Sequence, residues 1–557
     1  MKLIMVSQIV ALAFMVVAPV GARILATCAE TPGYYFDKAL QKCVKACDAS
    51  NNVVLFGHKF SCSIKSLTTE MLKYSNSRAI PQSIVGLTQL TTLELHSGIK
   101  RIIPSELGKL TTLTHLDLNW NDISGTIPSE LGKLTLLTCL DISQNDISGT
   151  IPHELSMLAK ATSMYLNDNS LRGTIPSKFS VLLNLKSINL EQNHLSGKIP
   201  SELGKLTLLT SMEMTGNNLS GKIPSELGKL TLLTSIGLSK NLALAGAIPS
   251  SFSQLSLLYS LDLSFNSLNA IPTMLGKLTS LRYLNLSYNN INGAIPSSFG
   301  QLKGLYSLDL SDNSLYGTIP RVLGQLSTLA EMDLSSNKLN GPMPGVLGQM
   351  TGLYTLDLSS NNLNGTIPSP LGRLSNMGHM DLSSNNLKGS IPGVFGQMKG
   401  LYRLSLNKNN LIGTIPPAFG QLSNLYDLDL SFNKLNGTIP PALGQIIYLG
   451  RLDLSSNKLN GTIPPALGKI NNLYELDLSS NKLNGGIPSS LGQLTSLTSM
   501  FLHSNNLKGS MPTAICSLRV QGNPNDNYYY LMTLTADCGG SPSEVKCTCC
   551  TSCHKDS

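Results

Sequence analysis

One asparagine recurs along the chain at a nearly constant spacing, and this period restricts the fold more than any other feature of the sequence. Each step between successive copies is 24 residues, except for one of 25 and one of 23 that compensate each other. The copies are Asn121, Asn145, Asn169, Asn193, Asn217, Asn241, Asn266, Asn289, Asn313, Asn337, Asn361, Asn385, Asn409, Asn433, Asn457, Asn481 and Asn505. A degenerate unit with Gly98 at the asparagine position precedes them. The sequence therefore predicts about 18 repeats over residues 87–518.

Composition agrees with one repeated array better than with several ordinary domains. A length of 557 residues would suggest about three or four domains at ~150 residues each. Charged residues are only 13% of the chain and aromatic residues 5%, while 41% is hydrophobic, which is too apolar for a disordered chain. The formal charge of +8 comes without a run of Lys or Arg, so nucleic acid is not an expected partner.

The phrase LYSLDLSDNSLYGTIP at residues 305–320 shows how one repeat is expected to fold. Leu308 and Leu310 alternate with outward side chains, as in a short strand, so stacked neighbours must cover their apolar face. Asn313 suits a side chain that bonds to the backbone where the chain turns out of the strand. Gly317 suits a tight bend, and Pro320 ends the second extended piece. The predicted fold is a solenoid with one curved, parallel β-sheet.

This phrase resembles the plant-type leucine-rich repeat, L-x-x-L-x-L-x-x-N-x-L-x-G-x-I-P-x-x-L-G-x-L, and the resemblance covers more than three quarters of the chain. It implies an α/β solenoid, a horseshoe or superhelix with a concave parallel sheet, a smaller lateral sheet and a short helical turn on the convex side. It also implies extracellular recognition, as in receptor-like proteins and polygalacturonase-inhibiting proteins. The caps depart from the plant pattern, because the only tryptophan is Trp120, and they are similar to those of secreted repeat proteins from protists or algae.

The two ends predict export and oxidised cysteines. Residues 1–22 have the pattern of a signal peptide, with cleavage after Ala22 or Ala26, and no transmembrane segment is expected after it, so membrane association would need a partner. A cysteine-containing N-terminal cap is predicted at residues 23–86 and a cysteine-rich C-terminal cap at residues 519–557. The disulfide candidates are Cys28, Cys43, Cys47, Cys62, Cys516, Cys538, Cys547, Cys549, Cys550 and Cys553. A thiolate metal cluster is the alternative for the last four, and Cys139 is left over.

No convergent set of catalytic groups is apparent in the sequence. The eight histidines are scattered without metal-ligand spacing, and no nucleophile elbow, phosphate-binding loop or kinase signature occurs. The sequence therefore predicts a protein that is not an enzyme and that needs no cofactor or metal.

The outward strand positions predict a recognition surface. The position between the last two Leu of the strand phrase is Asp in ten repeats, and we call these residues the Asp column. The column indicates either a stripe that attracts cations, or simply the usual residue of this repeat, in which Asp bonds to neighbouring Ser hydroxyls. Where outward positions differ from the usual residues of the repeat, several carry aromatic or cationic side chains, which dominate binding energy at interfaces. The predicted ligand-binding residues are Trp120, Tyr165, Phe265, Tyr283, Tyr288, Arg403, Lys408, Phe432 and Arg451.

These features predict a secreted protein that binds an extracellular protein, peptide or polysaccharide through the concave face and one flank. A structural, adhesive or ice-binding protein that uses the regular Thr/Ser/Asn flank is an alternative, and an inhibitor of a secreted hydrolase is another. N-glycosylation is predicted from sequons at Asn218, Asn285, Asn364, Asn436 and Asn460. A glycan on Asn285 would block the concave face locally.

Overall fold

The computed structural model describes residues 52–55, 58–61, 63–72, 79–519, 531–539 and 544–554. The predicted signal peptide and Cys28, Cys43, Cys47 and Cys62 lie outside the described residues, so those predictions are not addressed by the structure. Within the described part, an antiparallel hairpin of Asn52–Leu55 and His58–Ser61 precedes the repeats.

A single parallel sheet forms the concave face. Successive strands pair with constant register, so that each strand residue lies beside its equivalent in the next repeat, as Ser307 lies beside Glu331. The sheet begins before the first predicted repeat and continues into the segment predicted as the C-terminal cap. Its 21 strands in the described residues are Ser66–Thr68, Thr92–Glu94, His115–Asp117, Cys139–Asp141, Ser163–Tyr165, Ser187–Asn189, Ser211–Glu213, Ser235–Gly237, Ser260–Asp262, Tyr283–Asn285, Ser307–Asp309, Glu331–Asp333, Thr355–Asp357, His379–Asp381, Arg403–Ser405, Asp427–Asp429, Arg451–Asp453, Glu475–Asp477, Ser499–Phe501, Thr533–Ala536 and Ser552–Cys553.

Short lateral strands follow the turn at each repeat asparagine and pair in small parallel sheets beside the main sheet. Glycines near the ends of these strands have positive φ, for example +79° at Gly317, which explains why glycine recurs there. The lateral strands are Lys100–Arg101, Asp122–Ile123, Ser148–Thr150, Ser170–Gly173, His194–Lys198, Asn218–Lys222, Ala243–Ala247, Ser267–Ala270, Asn292–Gly293, Ser314–Gly317, Lys338–Pro342, Asn362–Asn364, Lys388–Gly389, Asn410–Leu411, Asn436–Gly437, Lys458–Gly461, Lys482–Gly485, Asn506–Leu507, Gly509–Ser510 and Val545–Lys546.

The convex side is made of 3₁₀ helices. A proline precedes almost every one in the N-cap position, and its fixed φ suits the start of the helical turn. They are Thr69–Leu72, Gln82–Gly86, Ser105–Lys109, Ser129–Lys133, His153–Met157, Ser177–Val181, Ser201–Lys205, Ser225–Lys229, Ser250–Gln254, Thr273–Lys277, Ser297–Gln301, Arg321–Gln325, Gly345–Gln349, Ser369–Arg373, Gly393–Gln397, Pro417–Gln421, Pro441–Gln445, Pro465–Lys469 and Ser489–Gln493. One α-helix, Thr513–Ser517, follows in the described residues. The predicted helical turn is confirmed, and it is of the 3₁₀ type.

The core is one continuous stack of Leu, Ile, Met and Phe side chains between the concave strands and the 3₁₀ helices. In repeats that carry Phe instead of Leu in the helical turn, such as Phe299 and Phe395, the ring is fully buried. No 24-residue unit could bury this face alone, so each repeat depends on its neighbours for stability.

The repeat asparagines form a ladder that connects each repeat to the preceding one. Asn385 is typical: its Nδ2 donates to the carbonyls of Leu358, Leu382 and Ser383, at 2.9, 3.3 and 3.0 Å. Its Oδ1 accepts the backbone N–H of Leu363 at 2.9 Å. The prediction that this side chain satisfies the backbone at the turn is confirmed, and the ladder joins successive repeats by the same bonds.

The C-terminal cysteines form three disulfides: Cys516–Cys549, Cys538–Cys553 and Cys547–Cys550. This agrees with the disulfide prediction for these six residues and disfavours the alternative of a thiolate metal cluster. Cys139 remains a free thiol on the concave sheet, where burial and Asp141 raise its pKa to about 11. Among the described residues, no helix has the length and apolar character that a membrane crossing requires.

Candidate ligand-binding surface

The Asp column lies along the middle of the concave sheet. In most of these repeats one carboxylate oxygen accepts from the Ser two residues later, as Asp309 Oδ1 does from the backbone N–H and the hydroxyl of Ser311, at 3.0 and 2.6 Å. Asp333 makes the same pair of bonds to Ser335, at 2.9 and 2.6 Å. These are the bonds that the interpretation of the Asp column as the usual residue of the repeat predicts.

Burial, and secondly the stacking of like charges, alters the ionisation of this column. Burial, followed by the neighbouring Asp357 and Asp309, raises the pKa of Asp333 to about 7, against the opposing bonds from Ser335. The pKa of Asp357 is also raised, mainly by burial. Part of the column therefore takes up protons in the folded protein at a pH where an unfolded chain would be ionised.

Glu213 replaces the Asp in its repeat and is held in a gap that Gly237 leaves in the next strand. A side chain at Gly237 would overlap the Glu213 carboxylate. The hydroxyl of Ser235 donates to Glu213 Oε1 at 2.5 Å. Burial is the largest cause that raises the Glu213 pKa to about 7, with Glu191 as an additional negative neighbour.

Glu213→Gln is expected to remove part of the pH dependence of stability. Because the folded pKa is about 7 and the unfolded value 4.5, the folded state binds the extra proton, so stability falls as pH rises between these two values. Removing this ionisation is expected to raise stability at pH 8 relative to pH 5 by about 2 kcal/mol. Thermal midpoints at both pH values measure the effect. Glu226→Gln, on the convex helix Ser225–Lys229, is the matched control, and an identical pH profile of the two variants would contradict the prediction.

Arg451 neutralises the column near its C-terminal end. Its guanidinium donates to Asp429 and Asp453 at 3.0 and 2.8 Å and to Glu475 at 3.0 Å, and it pairs with Asp427 at 3.4 Å. These four carboxylates come from three successive repeats. Arg451 therefore has a structural role, and a ligand at this predicted site would have to compete with its own carboxylates.

Arg403 contacts fewer carboxylates than Arg451 does. Its Nε lies 3.3 Å from Asp427 Oδ2, without hydrogen-bond geometry, and its side chain is 38% exposed. Burial is the main cause that raises the pKa of Asp427, and both arginines oppose it. Of the two predicted arginines, Arg403 is thus the more accessible to a ligand.

Five predicted residues lie on the rim of the concave sheet where the chain turns towards the lateral strands. Each directly precedes the repeat asparagine and has a left-handed backbone, with φ between +52° and +56°. This conformation is uncommon for bulky side chains, and it directs them outwards. They are Trp120, Phe265, Tyr288, Lys408 and Phe432. Trp120, at 70% exposure, is isolated, whereas Phe265 and Tyr288 stack with centroids 4.2 Å apart and an interplanar angle of 8°.

The opposite rim carries tyrosines that sequence reasoning missed, apart from Tyr283. Tyr283 lies between Tyr259 and Tyr306, with ring centroids 5.5 and 5.8 Å apart. All three rings are exposed by more than a third. The signal in the sequence was a Tyr directly after the first Leu of the strand phrase, a column that also contains Tyr354, Tyr402, Tyr426 and Tyr474.

Further along this rim, tyrosines two repeats apart lean together over a glycine. Tyr354 and Tyr402 have ring centroids 6.3 Å apart across Gly378. Tyr426 and Tyr474 are 6.1 Å apart, and a side chain on Gly450 would overlap both rings. These glycines thus allow paired rings at the sheet rim.

The structure brings together some of the predicted residues and separates others. Residues Tyr259, Phe265, Tyr283, Tyr288 and Tyr306 come from three successive repeats and occupy both rims of the sheet; we call them the aromatic patch. Tyr165 lies in an earlier strand, and Trp120, Lys408, Phe432 and the two arginines lie in other repeats, away from the patch along the solenoid.

The sequons occupy two different surfaces. Asn285 lies on the concave strand between the two rims of the aromatic patch, where its Oδ1 accepts from the N–H and the hydroxyl of Ser287 at 3.0 and 2.7 Å. The other four are exposed residues of the lateral strands: Asn218, Asn364, Asn436 and Asn460. Their glycosylation stays a prediction.

These features define the class of the protein: a one-dimensional solenoid of plant-type repeats whose concave sheet carries aromatic rims. Residues 247–390 match the model of a known family that is described as a leucine-rich repeat region. The model of a second family, the leucine-rich repeat, matches eight further segments, namely residues 112–134, 136–158, 184–206, 208–230, 400–422, 424–446, 448–470 and 472–494. Among curated proteins, none matches the sequence significantly.

Solved structures of plant receptors are similar over most of the chain. The plant peptide hormone receptor RGFR1 in complex with RGF2 is 32% identical, with 88% of this chain and 80% of the receptor chain covered and a TM-score of 0.80. The Arabidopsis receptor kinase HAESA in complex with the peptide hormone IDA and the co-receptor SERK1 is 32% identical, with 81% and 82% covered and a TM-score of 0.69. The Arabidopsis thaliana GASSHO1/SCHENGEN3 ectodomain in complex with CASPARIAN STRIP INTEGRITY FACTOR 2 is 33% identical, with 86% of this chain but 59% of that chain covered and a TM-score of 0.71. The chain belongs to the leucine-rich repeat family and has the fold of these receptor ectodomains.

Proposed function

We propose that this chain is a secreted, non-catalytic recognition protein that binds an extracellular peptide on its concave face. The observation that carries the proposal is the aromatic patch, in which rings from three successive repeats flank the sheet on both sides. Rigid aromatic side chains lose little conformational freedom on binding and contribute most of the energy at many interfaces. Two of the similar receptor structures hold peptide hormones, which supports a peptide as the ligand class.

The charge beside the patch supports a ligand with cationic groups. In the third repeat of the patch and the three repeats after it, the concave strands and the rim before the repeat asparagine carry six carboxylates and no Lys or Arg: Asp309, Asp312, Glu331, Asp333, Asp357 and Asp381. A peptide that places aromatic or aliphatic side chains on the patch and a Lys or Arg beyond it would match both surfaces. The proposal also requires that Asn285, between the rims, carries no glycan.

The double variant Tyr283→Ala/Tyr288→Ala tests the patch. Peptides from an extracellular fraction would be captured by the full-length protein, identified by mass spectrometry, and their affinity measured with synthetic copies. Loss of two anchors, one on each rim, is expected to weaken binding by about 30-fold or more. Tyr316→Ala/Tyr448→Ala removes two exposed tyrosines elsewhere and is the matched control. The proposal would be wrong if the patch variant bound the peptides with unchanged affinity and had an unchanged thermal midpoint. It would also be wrong if the protein captured glycans and no peptides.

A further inference from the structure

The carboxylates of the C-terminal half of the solenoid are confined to the concave face, where Arg403 and Arg451 also lie. Between residues 338 and 519 every carboxylate belongs to a concave strand: Asp357, Asp381, Asp427, Asp429, Asp453, Glu475 and Asp477. The lateral and convex surfaces of this segment therefore carry cations without any acidic partner. In the N-terminal repeats, by contrast, convex helices such as Ser201–Lys205 contain both Glu and Lys.

Six of these cations form a row on the lateral face. They lie in the lateral strands or directly beside them, and all are exposed: Lys338, Lys388, Lys434, Lys458, Lys482 and Lys508. Three of them, Lys434, Lys458 and Lys482, occupy the same position in three successive repeats. We call this row the lateral lysine face.

Strand register keeps the lysines apart from one another. The lateral strands pair with an offset that places Lys458 beside Asn436 and Lys482 beside Asn460. Lys458 and Lys482 therefore each have an amide as a neighbour across the ladder, as Lys388 has in Asn410, whereas Lys338 lies beside Tyr316. Thr438 and Thr462 follow directly after Asn436–Gly437 and Lys458–Gly461. Cations alternate along the face with groups that can donate to, and accept from, hydroxyl oxygens.

We propose that the lateral lysine face binds an extended, polyanionic polysaccharide, with its carboxylates or sulfates on the lysines and its hydroxyls on the Asn and Thr side chains. A linear polymer suits cations that are distributed along a stack of strands, with Lys434, Lys458 and Lys482 in three successive repeats, whereas a compact anion would use only one or two of the cations. This face is separate from the concave patch, so the proposal does not depend on the proposed peptide ligand.

Two other polyanions fit the face less well. Single-stranded nucleic acid is held by base stacking on several aromatic side chains, and Tyr316, beside Lys338, is the one Phe, Tyr or Trp among the lateral strands of the described residues. A membrane surface needs apolar side chains to insert, and Ile412 is the one large apolar side chain exposed on this stretch of lateral strands. The remaining exposed positions are Lys, Asn, Thr, Ser, Pro and Gly, which matches a polysaccharide.

The predicted glycosylation sites bear directly on the experiment. Asn436 and Asn460 lie beside Lys458 and Lys482, so a glycan on either would cover the row. Binding should therefore be measured with the full-length protein before and after enzymatic removal of N-linked glycans. If the sites are occupied, removal is expected to strengthen binding.

Lys434→Gln/Lys458→Gln/Lys482→Gln is the test variant, and Lys133→Gln/Lys205→Gln/Lys229→Gln, on convex helices that also contain Glu, is the control with equal charge change. The probes are polygalacturonate, dextran sulfate, neutral dextran and anionic phosphatidylserine vesicles. The deglycosylated parent and the control are expected to bind one or both anionic polysaccharides at low salt, with the lateral variant about tenfold weaker. Preferential binding of polygalacturonate would identify carboxylate as the recognised group, and preferential binding of dextran sulfate would identify sulfate.

Three results would overturn the proposal. The first is no binding of either anionic polysaccharide by the deglycosylated parent. The second is an equal loss in the lateral and control variants, which would indicate an effect of net charge alone. The third is lysine-dependent binding to vesicles without binding to polysaccharide. Thermal midpoints of both variants show that they are folded, since all six residues lie on the surface.

Discussion

Asn385→Ala is expected to destabilise the repeats around it by about 4 kcal/mol, because the change removes four hydrogen bonds in a buried turn, three that Nδ2 donates to carbonyls and one that Oδ1 accepts from a backbone N–H. Asn385 is only 6% exposed, so water cannot replace these bonds without opening the turn. Since the bonds join two repeats, the loss acts on the interface between them. Faster hydrogen exchange of amides in residues 358–411, together with a lower thermal midpoint, measures the effect.

The neighbouring Asn386 supplies the matched control. It has the same side chain, is exposed and lies one residue later, so Asn386→Ala is expected to change stability by less than about 0.5 kcal/mol. Asn385→Asp keeps the acceptor for Leu363 but directs a carboxylate at three carbonyls, so it is expected to be as harmful as alanine at neutral pH. Equal exchange in the Asn385→Ala and Asn386→Ala variants would refute a structural role for the ladder.

Arg451→Ala is expected to cost about 3 kcal/mol at pH 8, because it leaves four poorly exposed carboxylates without their shared cation. The cost is expected to shrink towards pH 5. Asp453 already has a raised pKa of about 6, mainly from burial, and protonation of the group relieves the repulsion that the arginine no longer screens. Denaturant unfolding at both pH values, with hydrogen exchange over residues 427–477, tests the change and its direction.

Arg403→Ala is the comparison for this prediction. It removes a single, partly exposed ion pair with Asp427, so a loss below about 1 kcal/mol is expected, with little pH dependence. If Arg451→Ala were as mild as Arg403→Ala, or grew more harmful as pH fell, the view of Arg451 as the structural counter-ion of the column would be wrong.

Local repetition explains how much of the fold could be predicted from the sequence. The positions of Leu308, Leu310 and Asn313 in the phrase were enough to predict the concave strand, its inward face and the bond from the asparagine side chain to the backbone. This was possible because every repeat packs against its neighbours through the same residue types at the same positions. Pairing among the C-terminal cysteines could not be predicted, because six cysteines allow 15 connectivities and only the folded cap brings particular sulfurs together.

The sequence by itself determined that this chain is a plant-type leucine-rich repeat solenoid, since a 24-residue period in Leu, Asn, Gly and Pro leaves a stacked array as the way to bury the apolar face. The tertiary structure alone decided which surface residues act together. It stacked Phe265 on Tyr288, placed Arg451 among carboxylates of three repeats, and aligned Lys434, Lys458 and Lys482 on a face without acids. The physical reason is that residues about 24 positions apart become neighbours only when the repeats stack, so the chemistry of each face depends on the register between strands.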